Sequence, residues 1–112
     1  MEYPKMITSL PQADISYKGL KGWILQGQTK QVVFLEIDPI GQVKEHTHRA
    51  QFGMVLEGEM SLTVGGETKR YGKGDTYVIP AGIPHSAVFH SKVYAVDFFD
   101  EPARYKEKKR QS

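Results

Sequence analysis

Hydrophobic and polar residues alternate along most of this chain, in short segments that are separated by glycine and proline. Alternation with a period of two is typical of strands that bury one face. The segments GWILQG and QVVFLEI, residues 22–27 and 31–37, predict two paired strands. Further strands are predicted in VKEHTH, FGMVLEG, EMSLTVGGETKRYG, GDTYVIPAGIPHSAVF and KVYAVDFFD. A count of eight or nine short strands at regular spacing indicates an all-β sandwich or barrel.

The 112 residues are enough for one domain. We expect a single domain over residues 1–112, with a core at about 22–100, an N-terminal arm at 1–21 and a basic C-terminal tail at 101–112. The tail, EPARYKEKKRQS, is expected to form a short helix or to stay frayed. Most aromatic residues are expected to fill the barrel, namely Phe34, Phe52, Tyr77, Phe98 and Phe99.

Composition and charge narrow the classes of function. The chain has no cysteine, which excludes disulfides and thiolate metal sites. Its formal charge of +2 comes from the tail, which carries five basic and two acidic residues, so no nucleic-acid partner is expected. No apolar run is long enough to span a bilayer, and MEYPKMITSLPQ lacks the apolar centre of a signal peptide. The sequence therefore predicts a cytoplasmic protein without a membrane partner.

Two histidines in the stretch KEHTH suggest a metal site. Residues two apart in a strand share a face, so His46 and His48 point the same way as Lys44. Gln51 follows after a short bend and offers its amide oxygen. His85 begins the strand after PAGIP, where two prolines and a glycine fix the backbone. Three imidazoles and an amide oxygen suit one divalent transition metal ion, such as Zn, Ni, Fe, Mn or Co.

A single histidine on a strand is more often a surface residue than a metal ligand, and His90 is assigned to the surface for that reason. The case for His46 and His48 is stronger because the third histidine lies in a second glycine- and proline-rich motif. None of the four candidate ligands carries a negative charge. A bound ion would therefore stay electrophilic, which favours Lewis-acid chemistry on an anionic substrate oxygen.

These two segments resemble the paired motifs of the cupin superfamily. GQVKEHTHRAQFGMVLEG, residues 41–58, matches the first motif, and GDTYVIPAGIPHSAVF, residues 74–89, matches the second. The resemblance implies a double-stranded β-helix, or jelly-roll barrel, with the metal ion inside it. Three details differ from the usual pattern. The spacer after His48 is two residues long, Gln51 replaces the usual glutamate, and Phe89 replaces the usual asparagine.

The presence of Gln51 in place of the usual glutamate favours one class of reaction. Ligand sets of three histidines and a glutamine resemble those of isomerising cupins, among them small cupins of the pectin pathway that tautomerise unsaturated uronates and a bicupin isomerase of bacilysin synthesis. The ending DFFDEPAR is similar to that of the small uronate cupins, which assigns Asp97 and Arg104 to the active site. In such a reaction Asp97 or a metal-bound water would move the proton. Arg104 or Lys44 would pair with a substrate carboxylate.

Three functions remain open from the sequence. The first is a metal-dependent isomerase or tautomerase of a small carbonyl or sugar acid, which Gln51 favours. The second is an iron-dependent dioxygenase with the same ligands. The third is a non-catalytic module that binds a small ligand or sugar. The resemblance also implies a homodimer, in which residues 1–20 would lend a strand to the partner's sheet.

Overall fold

A computed structural model describes residues 1–39 and 41–109. The described chain contains one short helix and nine strands. The elements are α1 Lys5–Thr8, β1 Leu20–Gln26, β2 Gln31–Ile37, β3 Gly41–His46, β4 Gln51–Glu57, β5 Met60–Val64, β6 Glu67–Tyr71, β7 Thr76–Ile79, β8 His85–Phe89 and β9 Val93–Phe99. The predicted all-β fold is confirmed, with strands close to the predicted segments.

The strands form two antiparallel sheets. One has five strands in the order β1-β2-β9-β4-β7, and the other has four in the order β3-β8-β5-β6. The chain therefore passes repeatedly between the sheets, as in a jelly roll. The inner faces of both sheets enclose one apolar core, in which Val33, Val55, Val93 and Phe99 have almost no exposed surface. The sheets open at one end, where the candidate site lies.

The hairpin between β5 and β6 shows how local sequence sets the strand pairing. Gly65 and Gly66 both have positive φ angles, 57° and 85°. Two consecutive residues with positive φ form the kind of two-residue turn whose backbone twist matches the right-handed twist of the strands that it joins. Val64 then pairs with Glu67 and Met60 with Tyr71, as the predicted hairpin requires.

The N-terminal arm and the C-terminal segment pair within the same chain. Gln12 forms a bridge with Trp23, and Ala13 forms one with Glu107. The expected short C-terminal helix is absent from residues 101–109, which form turns and that single bridge. Hydrogen bonds to distant parts of the chain hold these residues in place. Within 1–39 and 41–109, no helix has the length and apolar character that a bilayer span requires.

A buried amide anchors the C-terminal segment to the five-stranded sheet. Gln31 is 1% exposed. Its Oε1 accepts a hydrogen bond of 3.0 Å from the backbone N–H of Tyr105, and its Nε2 donates one of 3.0 Å to the Tyr105 carbonyl oxygen. Both bonds span 74 residues of sequence. Through them, β2 fixes the backbone next to Arg104.

We expect the substitution Gln31→Leu to lower the free energy of unfolding by about 3 kcal/mol, because it leaves two backbone groups of Tyr105 without partners. Urea denaturation measures the change. Gln28→Leu is the matched control, since Gln28 is exposed in the turn before β2, and its stability should stay within about 0.5 kcal/mol of the parent. Equal stability of the two variants would contradict the anchoring role.

Candidate metal centre

Three histidines meet at the open end of the barrel. His46 is the last residue of β3, and His85 is the first residue of β8. The two are directly paired across these strands. His48 follows the end of β3, so the strand stops two residues sooner than the sequence predicted. The N–H of Gly82 donates a hydrogen bond of 2.9 Å to the His48 carbonyl oxygen and joins the loops of the two motifs.

The histidine side chains converge closely enough to share one ion. One nitrogen from each of the three rings lies within 4.8 Å of the others. The ring centroids of His46 and His85 are 4.2 Å apart, and those of His48 and His85 are 4.5 Å apart. The sequence prediction that these three residues come together agrees with this geometry.

Backbone carbonyls determine which ring nitrogen is free. Nδ1 of His46 lies 2.9 Å from the Lys44 carbonyl oxygen, Nδ1 of His48 lies 2.7 Å from that of Arg49, and Nδ1 of His85 lies 3.0 Å from that of Ile83. A carbonyl oxygen only accepts, so each Nδ1 carries a proton. When such a ring is neutral, its lone pair is on Nε2.

This arrangement suits a cation. Nε2 of His48 and Nε2 of His85 are only 2.9 Å apart. Two neutral rings with protonated Nδ1 atoms present two lone pairs to each other at that distance, which is unfavourable unless a positive charge lies between or beside them. Neutral nitrogen donors oriented by second hydrogen bonds are typical of transition-metal sites. The residues present therefore fit a divalent ion.

A proton is not the positive charge that balances these two lone pairs, because the protein lowers the pKa of both rings. Burial, together with the nearby Arg104, His85 and His46, lowers the pKa of His48 to about 4, although the hydrogen bond to the Arg49 carbonyl acts in the opposite direction. Burial also lowers the pKa of His85. Both rings are therefore neutral at physiological pH, the state in which imidazole binds a metal ion.

A small cavity lies next to the histidines, between the two sheets. This inner cavity has a volume of about 80 Å³, and its lining is mostly apolar, with Gln51, Asp97 and Tyr77 among the polar members besides the histidines. All three side chains are buried. Asp97 accepts a hydrogen bond of 2.5 Å from the Tyr77 hydroxyl. Burial raises the pKa of Asp97 to about 6, although the Tyr77 hydroxyl, the nearby Gln51 side chain and Arg104 act in the opposite direction.

A larger outer cavity opens to solvent above the histidines. Its volume is about 630 Å³. Its lining includes His46 and His48 at the base, and on the walls the basic residues Lys44, Arg104 and Lys106 and the acidic residues Asp14 and Glu101. His46 and His48 line both cavities, whereas Asp97 lines only the inner one.

Arg104 belongs to both cavities. Its guanidinium carbon lies 4.3 Å from the centre of the Tyr105 ring and 5.6 Å from that of Phe99. These rings hold the side chain over the site by cation–π contact. Within the described residues, the buried Nε–H of Arg104 has no hydrogen-bond partner. The guanidinium is therefore a directed donor with spare capacity for an acceptor.

The sequence assigned seven residues to the site. The structure brings His46, His48, Gln51, His85, Asp97 and Arg104 to the lining of the inner cavity, while Lys44 lies on the outer wall with an exposed side chain. His90 is exposed, and its Nε2 lies 2.7 Å from the Ser61 Oγ.

Tyr77, Tyr105 and Glu101 also line the site, although none of them was predicted as a site residue. Tyr77 was expected to be one of the aromatic residues that fill the barrel, some of which were expected to line its cavity. Its position between Gly74 and Pro80 of the second motif was the one signal available. Phe34, Phe52 and Phe98 were wrongly expected to fill the barrel. All three lie on the outer face, where Phe34 is half-buried and Phe52 and Phe98 are 47% and 41% exposed.

Comparison with known proteins identifies the family. Residues 33–100 match the Cupin_2 family, whose description is a cupin domain. The chain belongs to the cupin family. The match includes all three histidines, Gln51 and Asp97, and it agrees with the two-sheet fold.

This chain is similar to individual cupins over different lengths of sequence. An RmlC-like cupin from Shewanella frigidimarina has 29% identity and a TM-score of 0.74, covering 86% of this chain and 87% of that one. KdgF from a Halomonas species has 25% identity and a TM-score of 0.72, covering 82% and 86%. A Bacillus subtilis H2HPP isomerase is 34% identical over 65 residues, 56% of this chain and 27% of that protein. The match thus spans about a quarter of the isomerase.

Proposed function

We propose that this cupin is a metal-dependent isomerase or tautomerase that acts on a small carbonyl or sugar acid. The proposal rests mainly on how the histidines, the basic side chains and a buried carboxylate are arranged around the two cavities. His46 and His48 line an open chamber that also contains Lys44, Arg104 and Lys106, and all three histidines line an inner cavity together with the buried carboxylate of Asp97. Similarity to an H2HPP isomerase and to KdgF supports the same class of reaction.

The ligands of the ion would be His46, His48, His85 and Gln51, with a water in place of Gln51 as the alternative. When bound, the ion would supply Lewis-acid polarisation of a carbonyl or enolate oxygen. The protein would hold the three Nε2 lone pairs in position through the carbonyl oxygens that bind Nδ1. Because none of these ligands is charged, the full charge of the ion would remain available to an anionic substrate.

The substrate would carry a carboxylate. Arg104 contributes a planar guanidinium that is held by two aromatic rings and has an unpaired Nε–H. The parallel N–H groups of a planar guanidinium can donate to both oxygens of a carboxylate. Lys44 would add positive charge on the outer wall. A chamber of about 630 Å³ accommodates a small organic acid together with water.

The proton would be moved by Asp97, with a metal-bound water as the alternative carrier. Asp97 lines the same cavity as the histidines and is the one carboxylate in that lining. A carboxyl group that is buried beside the reaction can accept a proton from one carbon and return it to another.

Proton exchange tests this function across a range of candidate substrates. The protein, loaded with a divalent ion, would be incubated in D₂O with small keto acids and unsaturated uronic acids, and ¹H NMR would follow the loss of carbon-bound protons. We expect deuterium incorporation that depends on both metal and protein. Oxygen consumption by the iron-loaded protein, without such exchange, would contradict the proposal in favour of a dioxygenase. Binding without either reaction would favour a non-catalytic module.

The expected homodimer and cytoplasmic location stay predictions, but one surface supports a dimer. The outer face of the five-stranded sheet carries two rows of side chains in register. The rows contain Leu25, Val32, Phe98, Phe52 and Val78, and Trp23, Phe34, Val96, Met54 and Thr76. None of these ten side chains is charged. We refer to them as the apolar face.

A second copy of the chain is the partner that this face fits. A two-fold axis brings identical residues together, and an uncharged face does so without like-charge repulsion. Five strands about 4.8 Å apart and two rows about 7 Å apart give a footprint of roughly 330 Å², less than half of the ~800 Å² that each partner buries in a standard interface. The Tyr3 ring of the same chain packs edge-on against Trp23 and Phe34, so residues around the face, including this arm, would supply the rest of the interface. This dimer would use the sheet face and not an exchanged strand, because Gln12 and Ala13 pair within their own chain.

We expect the protein to sediment as a dimer at micromolar concentration and Val78→Glu or Phe98→Glu to make it monomeric, because each buries a charge in the interface. Val78 is 65% exposed on an edge strand, so its substitution should not affect folding. Val88→Glu, a 37% exposed position on the other sheet, is the control and should leave the dimer intact. A monomeric parent, or dimeric glutamate variants of the apolar face, would contradict the assignment.

A further inference from the structure

Tyr77 reaches the site from a strand that does not adjoin Asp97. It lies on β7, at the edge of the sheet, and Asp97 lies on β9, with β4 between them. Gly53 on β4 pairs with Tyr77 on one side and with Asp97 on the other. The phenol therefore crosses β4 at the one position where that strand has no side chain.

The glycine is required for this crossing. A Cβ at Gly53 would overlap both the Tyr77 ring and Oδ1 of Asp97. The chain thus leaves a gap in the inner face of the sheet, and the gap is filled by a hydroxyl group that bonds a buried carboxylate. An aromatic residue without a hydroxyl would fill the same volume, so packing does not account for the hydrogen bond itself.

Gln51 lies on the other side of Asp97. It is on the inner face of β4, two residues before Gly53, and Gly53 pairs with Asp97 on the adjacent strand β9. The Asp97 carboxylate accepts from the Tyr77 hydroxyl at 2.5 Å, and the Gln51 side chain is near enough to lower the pKa of Asp97 as a hydrogen-bond donor does. A carboxylate accepts only from the amide nitrogen of Gln51, so this contact uses Nε2. Oε1 of Gln51 is then left as the amide's free acceptor in the cavity that the three histidines share.

We propose that Tyr77 is a positioning residue, which fixes Asp97 and through it directs the amide oxygen of Gln51 toward the ion. The inference rests on the proposed metal site and deepens it. Residues that hydrogen-bond a ligand in this way set its orientation and the affinity of the site. Tyr77 does not touch the ion. Its effect passes through two buried hydrogen bonds.

Calorimetric titration with Zn²⁺ or Ni²⁺ alone tests the inference. Tyr77→Phe keeps the ring and removes the hydroxyl, and we expect it to weaken metal binding about 10-fold. In a Gln51→Ala background, the same substitution should change affinity less than about two-fold, because the group that it orients is gone. Tyr71→Phe is the control. The Tyr71 ring packs edge-on against Tyr77, 5.6 Å away, but lies outside the cavity lining, and this variant should bind like the parent.

Each result separates this inference from the proposed metal site. A parent that binds neither ion would overturn both. A parent that binds, with Tyr77→Phe binding equally well, would overturn the positioning role alone. So would an equal loss of affinity with and without the Gln51 side chain, since that is the behaviour of a general packing defect. The melting temperatures of the metal-free proteins show whether each variant is folded.

Discussion

His85→Ala is expected to abolish stable metal binding. Purified without a tag, the parent should contain about one divalent ion per chain, whereas the variant should lose most of it. Removal of residues that merely orient a ligand costs 10- to 100-fold in affinity, so we expect the loss of a direct ligand to exceed about 100-fold. His85 has its Nε2 2.9 Å from that of His48, and no other imidazole in the lining replaces it. Elemental analysis and metal titration measure the change.

His90→Ala is the matched control for this experiment. His90 is exposed, and its ring contacts Ser61 outside the site. Its metal content should equal that of the parent. A His85→Ala protein that retains its ion would exclude the three-histidine site. The identity of the ion also directs the next assay, because iron favours a test of oxygen consumption, while nickel, zinc or manganese favours a test of isomerisation.

The strands were predictable because alternation is a local signal. Each strand lies within a few residues of its predicted segment, and the Gly65-Gly66 turn fixed one hairpin directly. Alternation did not reveal which face is buried where both faces are apolar. In β4 and β9, Phe52 and Phe98 point outward beside buried Val55 and Phe99. When both faces of a strand are apolar, the pattern does not show which face is buried, so these aromatic residues were wrongly assigned to the barrel interior.

The site residues that lie in a sequence motif were predictable. The contacts that depend on the order of strands in the sheet were not. The histidines and Gln51 follow from spacing within two short segments. The contact between Tyr77 and Asp97 requires β7, β4 and β9 to be adjacent and Gly53 to stand between them. The C-terminal turn that carries Arg104 depends on Gln31, 74 residues from Tyr105. Neither arrangement has a local signature, so the tail was expected to be helical or frayed.

Asp97→Asn is expected to lower the rate of substrate proton exchange by at least about 100-fold, the lower limit for loss of a general acid or base. Asparagine has nearly the same shape, and its Oδ1 still accepts the hydrogen bond from Tyr77. It does not, however, accept and release a proton at physiological pH. Metal affinity should also fall, by about 10-fold, because the one amide oxygen of asparagine cannot accept from both the Tyr77 hydroxyl and the Gln51 amide. Metal saturation separates that loss from the loss of turnover. The rate is measured by ¹H NMR in D₂O under metal saturation.

The control for Asp97→Asn is Asp75→Asn. Asp75 is an exposed residue of the second motif, and its carboxylate accepts a hydrogen bond from the N–H of Gly72. Loss of that bond should affect stability slightly and exchange not at all. If Asp97→Asn turns over at the parent rate under metal saturation, then a metal-bound water carries the proton and Asp97 serves only to hold Gln51. If it loses its metal instead, the carboxylate acts chiefly on the ligand set. Only a slow, metal-loaded variant supports Asp97 as the proton carrier.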